Sequence, residues 1–295
     1  MAVRRYTSLA ILAATVIALP TAAHAAPRPS GATPAVTAQV PGVPLSCAGG
    51  FTAFNSSGDR YWYGYKNGQA TTQTYRQKGL GFRPAALQNI GGMGSDTSFS
   101  STDYLVTPGG SLRRLEWGGT KSGGEWTITN RSTTTLSNSW SNTREMAYSR
   151  YLYRLTGSTL TRYSLVAGKP SAPRTVSRTF GGVSQMVYER TVGSGSYQAD
   201  VFLATTTSGQ LREYRVPISS PSSWRSFTLK TSGFKGFRDI STGPCANASS
   251  RLVMGLTSTG RMSVWYDPNS TDYRGSDFRG GSTGTKVFGL KTYGQ

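Results

Sequence analysis

Two acidic residues stand where chemistry could be done. Glu145 lies in Arg144-Glu-Met-Ala-Tyr148 and Asp239 in Arg238-Asp-Ile240, each just ahead of an apolar residue, and Gln185 in Ser184-Gln-Met186 holds the equivalent place between them. Two carboxylates facing one narrow site could serve as acid and base, or as acid and nucleophile, on a glycosidic bond. A third, supporting carboxylate is missing, and the chain has only 13 acidic residues. Its single histidine, His24, sits at the end of an N-terminal leader, so the chain that remains after cleavage has no imidazole for a triad or a metal site. There is no Gly-x-Ser-x-Gly elbow, no phosphate loop and no cluster of metal ligands. The reading is therefore a non-enzyme with no cofactor and no metal, with Glu145 and Asp239 as the alternative catalytic pair.

Binding chemistry is better supplied. Trp62, Trp117, Tyr163, Tyr214 and Trp265 recur at nearly the same place after five glycine turns. Flat aromatic faces can carry sugar rings, and repetition would add avidity. The competing role for the same residues is packing between neighbouring repeats. Arginines keep similar company, at Arg60, Arg113 with Arg114, Arg162, Arg212 and Arg261. A guanidinium offers a planar donor fork to carboxylate or phosphate, and Arg113, Arg162 and Arg212 join the five aromatics as candidate ligand contacts. Their offsets from the turn glycine vary, so strand alternation scatters them over both sheet faces, where solvent is the competing reading.

The elements that must position these residues follow from the repeat. Short apolar runs at Phe51-Thr-Ala-Phe54, Tyr104-Leu-Val106, Tyr151-Leu-Tyr153, Val201-Phe-Leu203 and Leu252-Val-Met254 each meet a turn glycine: Gly58, Gly110, Gly157, Gly209 and Gly260. Those glycines are 52, 47, 52 and 51 residues apart. A period near fifty with a hairpin in each unit signals radially repeated sheets, because one unit cannot bury its own faces. Four strands can be written per unit, for example 83–90, 104–107, 112–117 and 126–131 in the second, 174–180 closing the third and 273–278 closing the fifth. The first unit lacks an opening strand, and the chain end from Val287 to Gly294 reads as the strand that completes it. The expected fold is an all-β, five-bladed β-propeller of four-stranded blades over residues 45–295.

Residues 1–25 read as a signal peptide, with Arg4 and Arg5, an apolar stretch from Leu9 to Leu19 and an Ala23-His-Ala25 cleavage pattern. Residues 26–44 read as a flexible Ala/Pro-rich tail. Loss of the leader leaves 30 basic against 13 acidic residues, an excess that favours anionic partners. No later apolar run is long enough to span a bilayer, so no membrane insertion is expected. Cys47 and Cys245 hold equivalent places in the first and last repeats, and an exported chain is expected to join them in one disulfide.

The fifty-residue spacing and the apolar-run, Gly-turn, x-Leu-x-x-Tyr grammar, clearest in Gly209-Gln-Leu-Arg-Glu-Tyr214, resemble the tachylectin-like propellers over residues 45–295 as architecture, with Trp117-Gly118 the one Trp-Gly dipeptide in the chain. That resemblance implies an N-acetylated sugar site repeated between blades. The sequence thus points to a secreted, monomeric, lectin-like protein whose partner is an extracellular glycan or an anionic cell-envelope polymer. Modulation of an extracellular enzyme such as a protease, through protein contacts, is the alternative. Specific nucleic-acid binding is not expected, since the basic residues form no dense run.

Overall fold

A computed structural model describes residues 39–76, 79–95, 97–122, 125–286 and 290–294. The segment read as a leader, most of the segment read as a tail and residues 287–289 of the expected closing strand lie outside the described residues. Val40 and Val43, within that segment, are buried against Phe51 and Tyr65, so packing of the propeller begins before residue 45.

Among the described residues twenty strands form five blades. In chain order they are β1 (Gly49–Phe54), β2 (Arg60–Lys66) and β3 (Gln69–Arg76); β4 (Ala86–Gly94), β5 (Ser98–Val106), β6 (Leu112–Ser122) and β7 (Glu125–Ser137); β8 (Thr143–Tyr148), β9 (Leu152–Thr156), β10 (Thr159–Val166) and β11 (Lys169–Ser177). Then follow β12 (Val183–Val192), β13 (Ala199–Thr206), β14 (Leu211–Pro217) and β15 (Arg225–Lys230); β16 (Phe237–Pro244), β17 (Arg251–Thr257), β18 (Arg261–Asp267) and β19 (Arg279–Lys286); and last β20 (Lys291–Gly294). Within each blade every pairing is antiparallel. The final strand, β20, pairs with β1 from Phe51↔Gly294 to Phe54↔Lys291 and becomes the innermost strand of blade one. The expected closure is therefore the one adopted, and it covers the edge that β1 would otherwise expose. The outer strands of blades one and two add a short parallel bridge, Tyr75↔Trp126 and Arg76↔Thr127, which joins them into one eight-stranded sheet.

Four of the five hairpin turns share one construction. A side-chain oxygen accepts the N–H four residues on: Asn55 Oδ1 from Asp59 (2.8 Å), and Thr107, Thr206 and Thr257 Oγ1 from Ser111 (3.1 Å), Gln210 (3.0 Å) and Arg261 (3.0 Å). The carbonyl of the same residue accepts the N–H of the turn glycine. Gly58, Gly110, Gly209 and Gly260 sit at φ +79° to +88°, where a side chain would strain the backbone, which is why the repeat is legible as glycines.

Two expected strands are displaced. Residues 273–278 form a loop, with Tyr273 itself at φ +60°, and the strand follows at β19. Phe180 leaves β11 for a short 3₁₀ turn, where its ring is buried between blades. The second blade is also longer than expected, because β5 starts at Ser98 and β7 runs on to Ser137.

The second strand of each blade carries the densest apolar packing; all eight residues of β13 are buried. Polar staples cross the same joints. Arg60 of blade one pairs with Asp103 of blade two at 2.6 Å and stacks on Trp117, 3.5 Å from the ring centroid. Buried Asp200 of blade four accepts from Tyr153 (2.6 Å) and Ser149 (2.7 Å) of blade three. Arg251 of blade five meets Glu213 (2.9 Å) and Glu189 (2.6 Å) of blade four and Asp267 (2.8 Å) of its own.

Candidate functional site

The five innermost strands, β20, β4, β8, β12 and β16, pack in a closed circuit around an axial channel and run in the same direction. A register shift after the first residue of β8, β12 and β16 leaves Arg144, Ser184 and Arg238 unpaired and turns the next residue to an equivalent place. Glu145 then pairs with Leu155, Gln185 with Thr205 and Asp239 with Leu256, each beside the threonine that opens the hairpin turn. Ala86 opposite Val106 and Lys291 opposite Phe54 hold that place in blades two and one. One residue per blade therefore forms a ring: Lys291, Ala86, Glu145, Gln185 and Asp239.

This ring lines a cavity of about 550 Å³ at one mouth of the channel, with Arg83, Arg144 and Arg238 around it. Burial pushes the Glu145 carboxyl well above the usual range, and repulsion from Asp239 adds to it. Its side chain lies deep among protein atoms yet keeps part of its surface open to the cavity. Asp239 is buried and its pKa is raised by desolvation to about 7, against the main-chain N–H groups of Ile240 and of Gly294 on β20, which favour the ionised form. Its Oδ2 has no protein partner, nor do Nε and Nη2 of Arg238. Lys291 donates to the carbonyl of Ala85, and burial lowers its pKa while Glu145 works in the other direction.

The opposite mouth is a cavity of about 450 Å³ with a different lining. Tyr148 and Tyr188 occupy equivalent places on the adjacent strands β8 and β12, and Gln88, Asn89, Arg190 and Arg251 complete the walls. Arg251 is almost wholly buried; its Nη2 has no protein acceptor. The ions behind it balance: Glu189, Glu213 and Asp267 against Arg190, Arg215 and Arg251. The sequence reading passed over this cluster because its six members come from four strands of two blades.

The aromatics singled out from the repeat lie mostly in the joints between blades. Tyr163, Tyr214 and Trp265 lie against Trp140, Phe180 and Phe234, which come from the connections out of the preceding blades, with ring centroids 5.1, 4.9 and 4.8 Å apart. Trp117 is buried and donates its indole N–H to Asp103 at 2.8 Å. Trp62 lies across Gly50 and Gly64, where any Cβ would collide with the indole, and keeps one part of its surface open. Arg162 is buried, stacked on Tyr151 (4.3 Å) and donating to the Ile218 carbonyl (3.0 Å). Arg212 donates to Ser226 (2.8 Å), and Arg113 is half-buried on β6. These residues share no single cavity. Glu145, Gln185 and Asp239, by contrast, are brought together. Cys47 and Cys245 are joined in a disulfide across the joint of blades one and five. Among the described residues no group of His, Cys, Asp and Glu is placed to hold a metal ion, and no helix is long and apolar enough to cross a membrane.

No protein-family model and no curated protein sequence matches this chain. Solved structures do resemble it in fold. The fucose-specific lectin from Aleuria aurantia is 15% identical, with a TM-score of 0.40 over 79% of this chain and 74% of that one. A GH43 glycoside hydrolase with an engineered active site is 12% identical, TM-score 0.42, over 88% and 57%. The WD40 domain of SCAP from fission yeast is 11% identical, TM-score 0.35, over 83% and 60%. This chain thus spans less than two thirds of the hydrolase and of the yeast domain. At such distances the likeness is one of β-propeller architecture.

Proposed function

We propose that this chain is an extracellular, non-catalytic, lectin-like protein that binds a glycan in the mouth walled by Tyr148 and Tyr188. The observation that carries this reading is the pairing of two partly open tyrosines on neighbouring inner strands with a buried guanidinium N–H that lacks an acceptor. Sugars present apolar ring faces and hydroxyl acceptors; the tyrosines meet the first, and Gln88, Asn89 and Arg190 bring donor groups to the same lining for the second. Its ions are balanced, which favours a neutral sugar there over a charged one. The disulfide is compatible with an oxidising, extracellular setting. Against hydrolysis at the other mouth stands the short supply of acids. A third, supporting carboxylate is missing from that mouth, where Glu145 and Asp239 are the only acids of the lining among the described residues.

The test is a glycan array followed by calorimetry on the best ligand. Tyr148→Ala and Tyr188→Ala should each weaken binding roughly tenfold, as loss of an aromatic anchor does. Silence across neutral and acidic sugars would reject the reading.

One observation favours a protein partner as a second reading. Leu45, Met93, Val166, Tyr197 and Tyr273, the exposed large apolar residues among those described, all lie at the tyrosine-mouth end of the strands, Met93 and Val166 at the ends of β4 and β10 and the others on connections. An extracellular enzyme such as a protease, docked over that face, would cover them. Replacing Met93 and Tyr197 together with serine would abolish such capture from culture supernatant and leave sugar binding intact.

A further inference from the structure

We propose that the opposite mouth is a separate binding site for one oxyanion, a carboxylate or phosphate group, seated over the ring of Lys291, Glu145, Gln185 and Asp239. Four cations converge on this cavity, Arg83, Arg144, Arg238 and Lys291, against two acidic side chains. Arg238 supplies the strongest pointer. It is half-buried, and its Nε and one terminal nitrogen find no acceptor in the protein. Those two nitrogens lie on one edge of the guanidinium plane, the fork that meets two oxygens of a carboxylate or phosphate at once. Arg238 lines the cavity while these two nitrogens are shielded from solvent, and because buried donors are seldom left unmade, the fork marks a place for an acceptor that enters as the guanidinium turns outward.

The acids do not stand in the way. Asp239 has an oxygen without a partner although the residue is only 4% exposed, and Glu145 faces the same space. Desolvation favours the protonated form of both, and a protonated carboxyl donates a hydrogen bond to an oxyanion instead of repelling it. Gln185 adds an amide donor, and Arg144 is already tied to the carbonyls of Gly157 and Val183, which fixes its positive charge at the rim. The contrast with the tyrosine mouth decides the ligand class. There the ions cancel among themselves; here four cations stand against two acids, an excess of positive charge even with both acids ionised.

Asp239 also makes the site respond to pH. The groups that face it are Arg238 on its own strand, Lys291, Thr292, Tyr293 and the Gly294 N–H on β20, Glu145 and Arg144 from β8, Gln185 from β12, and Arg83 ahead of β4. Ionisation as pH rises through about 7 replaces a donor with a negative charge, so anion affinity falls on the alkaline side.

The experiment is calorimetric titration of the chain with sodium sulfate at low ionic strength, since sulfate keeps its charge across the range used. Wild type should bind, with affinity falling between pH 6 and pH 8; Arg238→Gln should weaken binding at least about tenfold. Arg83→Gln, on an exposed side chain, should weaken it several-fold and separates loss of the site from loss of the fold. In Asp239→Asn the fall with pH should vanish. Pull-down with polygalacturonate and with poly(glycerol phosphate) then distinguishes the two sources of the oxyanion. Retention of either by wild type, lost in Arg238→Gln, supports the site. No sulfate binding, binding indifferent to both arginine variants, or retention of neither polymer overturns it.

Discussion

Tyr214 of β14 lies against Phe180, a residue of the connection leaving the preceding blade, with ring centroids 4.9 Å apart and planes 39° from parallel. The main-chain N–H of Phe180 donates to Ser158 in the hairpin turn of blade three, so its ring is pinned to one blade and inserted against the next. Trp140 and Phe234 repeat the device, donating to Gly110 and Gly209 and meeting Tyr163 and Trp265. Here a third-strand aromatic serves as the wall of a joint. Phe180→Ala and Tyr214→Ala are each expected to cost about 3–5 kcal/mol of stability. Because the rings touch, the double variant should lose less than the sum. Urea unfolding measures all three, and strictly additive losses would contradict the contact.

Stability should also depend on Asp239 with a definite sign. In the folded chain its pKa is about 7, while an unfolded aspartate releases its proton near pH ~4. Between those values the folded state holds a proton that the unfolded state has lost. Stability therefore falls as pH rises from about 4 to about 7 and changes no further above that. Asp239→Asn removes the penalty: its melting temperature should match wild type near pH 4, rise above it progressively towards pH 7, and keep a constant advantage beyond. Glu145→Gln should act in the same direction, since its carboxyl is also pushed up. A gain in Asp239→Asn that is greatest at acid pH would show that the carboxyl is held ionised instead.

How much of this was legible depended on how local the cause was. The turn glycines announce the blades because a φ near +80° is a demand on one residue, and it recurs with the repeat. The equivalence of Glu145, Gln185 and Asp239 could be read from the residues that follow each of them. The partnership of Cys47 with Cys245 followed from their equivalent places. The chain end was read as the closing strand, yet Lys291 was not singled out, since its place in the ring depends on the register against β1, more than 200 positions away in sequence. The wedges were hidden for a different reason. Trp140, Phe180 and Phe234 sit in irregular connections with no period to mark them. Phe180 read as the end of a strand, although its neighbours turn it inward. Arg251 and its carboxylates escaped for want of any motif.

Arg251 gives the sharpest electrostatic test. One guanidinium holds Glu189, Glu213 and Asp267 together at 2.6–2.9 Å while almost wholly buried. Arg251→Ala would leave those carboxylates facing one another with Arg190 and Arg215 as their remaining counter-ions. A loss of about 3–5 kcal/mol is expected near neutral pH, as when one partner of a buried pair is removed. The loss should shrink on acidification, because protonation relieves the repulsion. Arg251→Met, which restores some packing, should recover part of it. Equal losses at pH 5 and pH 8 would place the role of Arg251 in packing alone.

The joint of blades one and five is closed twice, by β20 on the inside and by the Cys47–Cys245 bond at the far end of β1. The bond spans 198 residues of sequence, so in the chain-entropy account it removes a large share of the freedom of the unfolded chain, worth up to about 5 kcal/mol. Cys47 is itself buried in the cluster of Phe51, Tyr65 and Leu252, so the pair Cys47→Ala and Cys245→Ala tests the bond with less disturbance than a serine would. That pair should lower the urea midpoint markedly without altering the folded spectrum, since β20 still holds the ring shut. Adding substitutions that unpair β20, such as Thr292→Pro, should then open the joint and expose blade one to proteolysis near the Gly58 turn. With the disulfide present, the same Thr292→Pro change should leave blade one resistant. Cleavage that depends on neither closure would mean that packing between blades alone holds the ring.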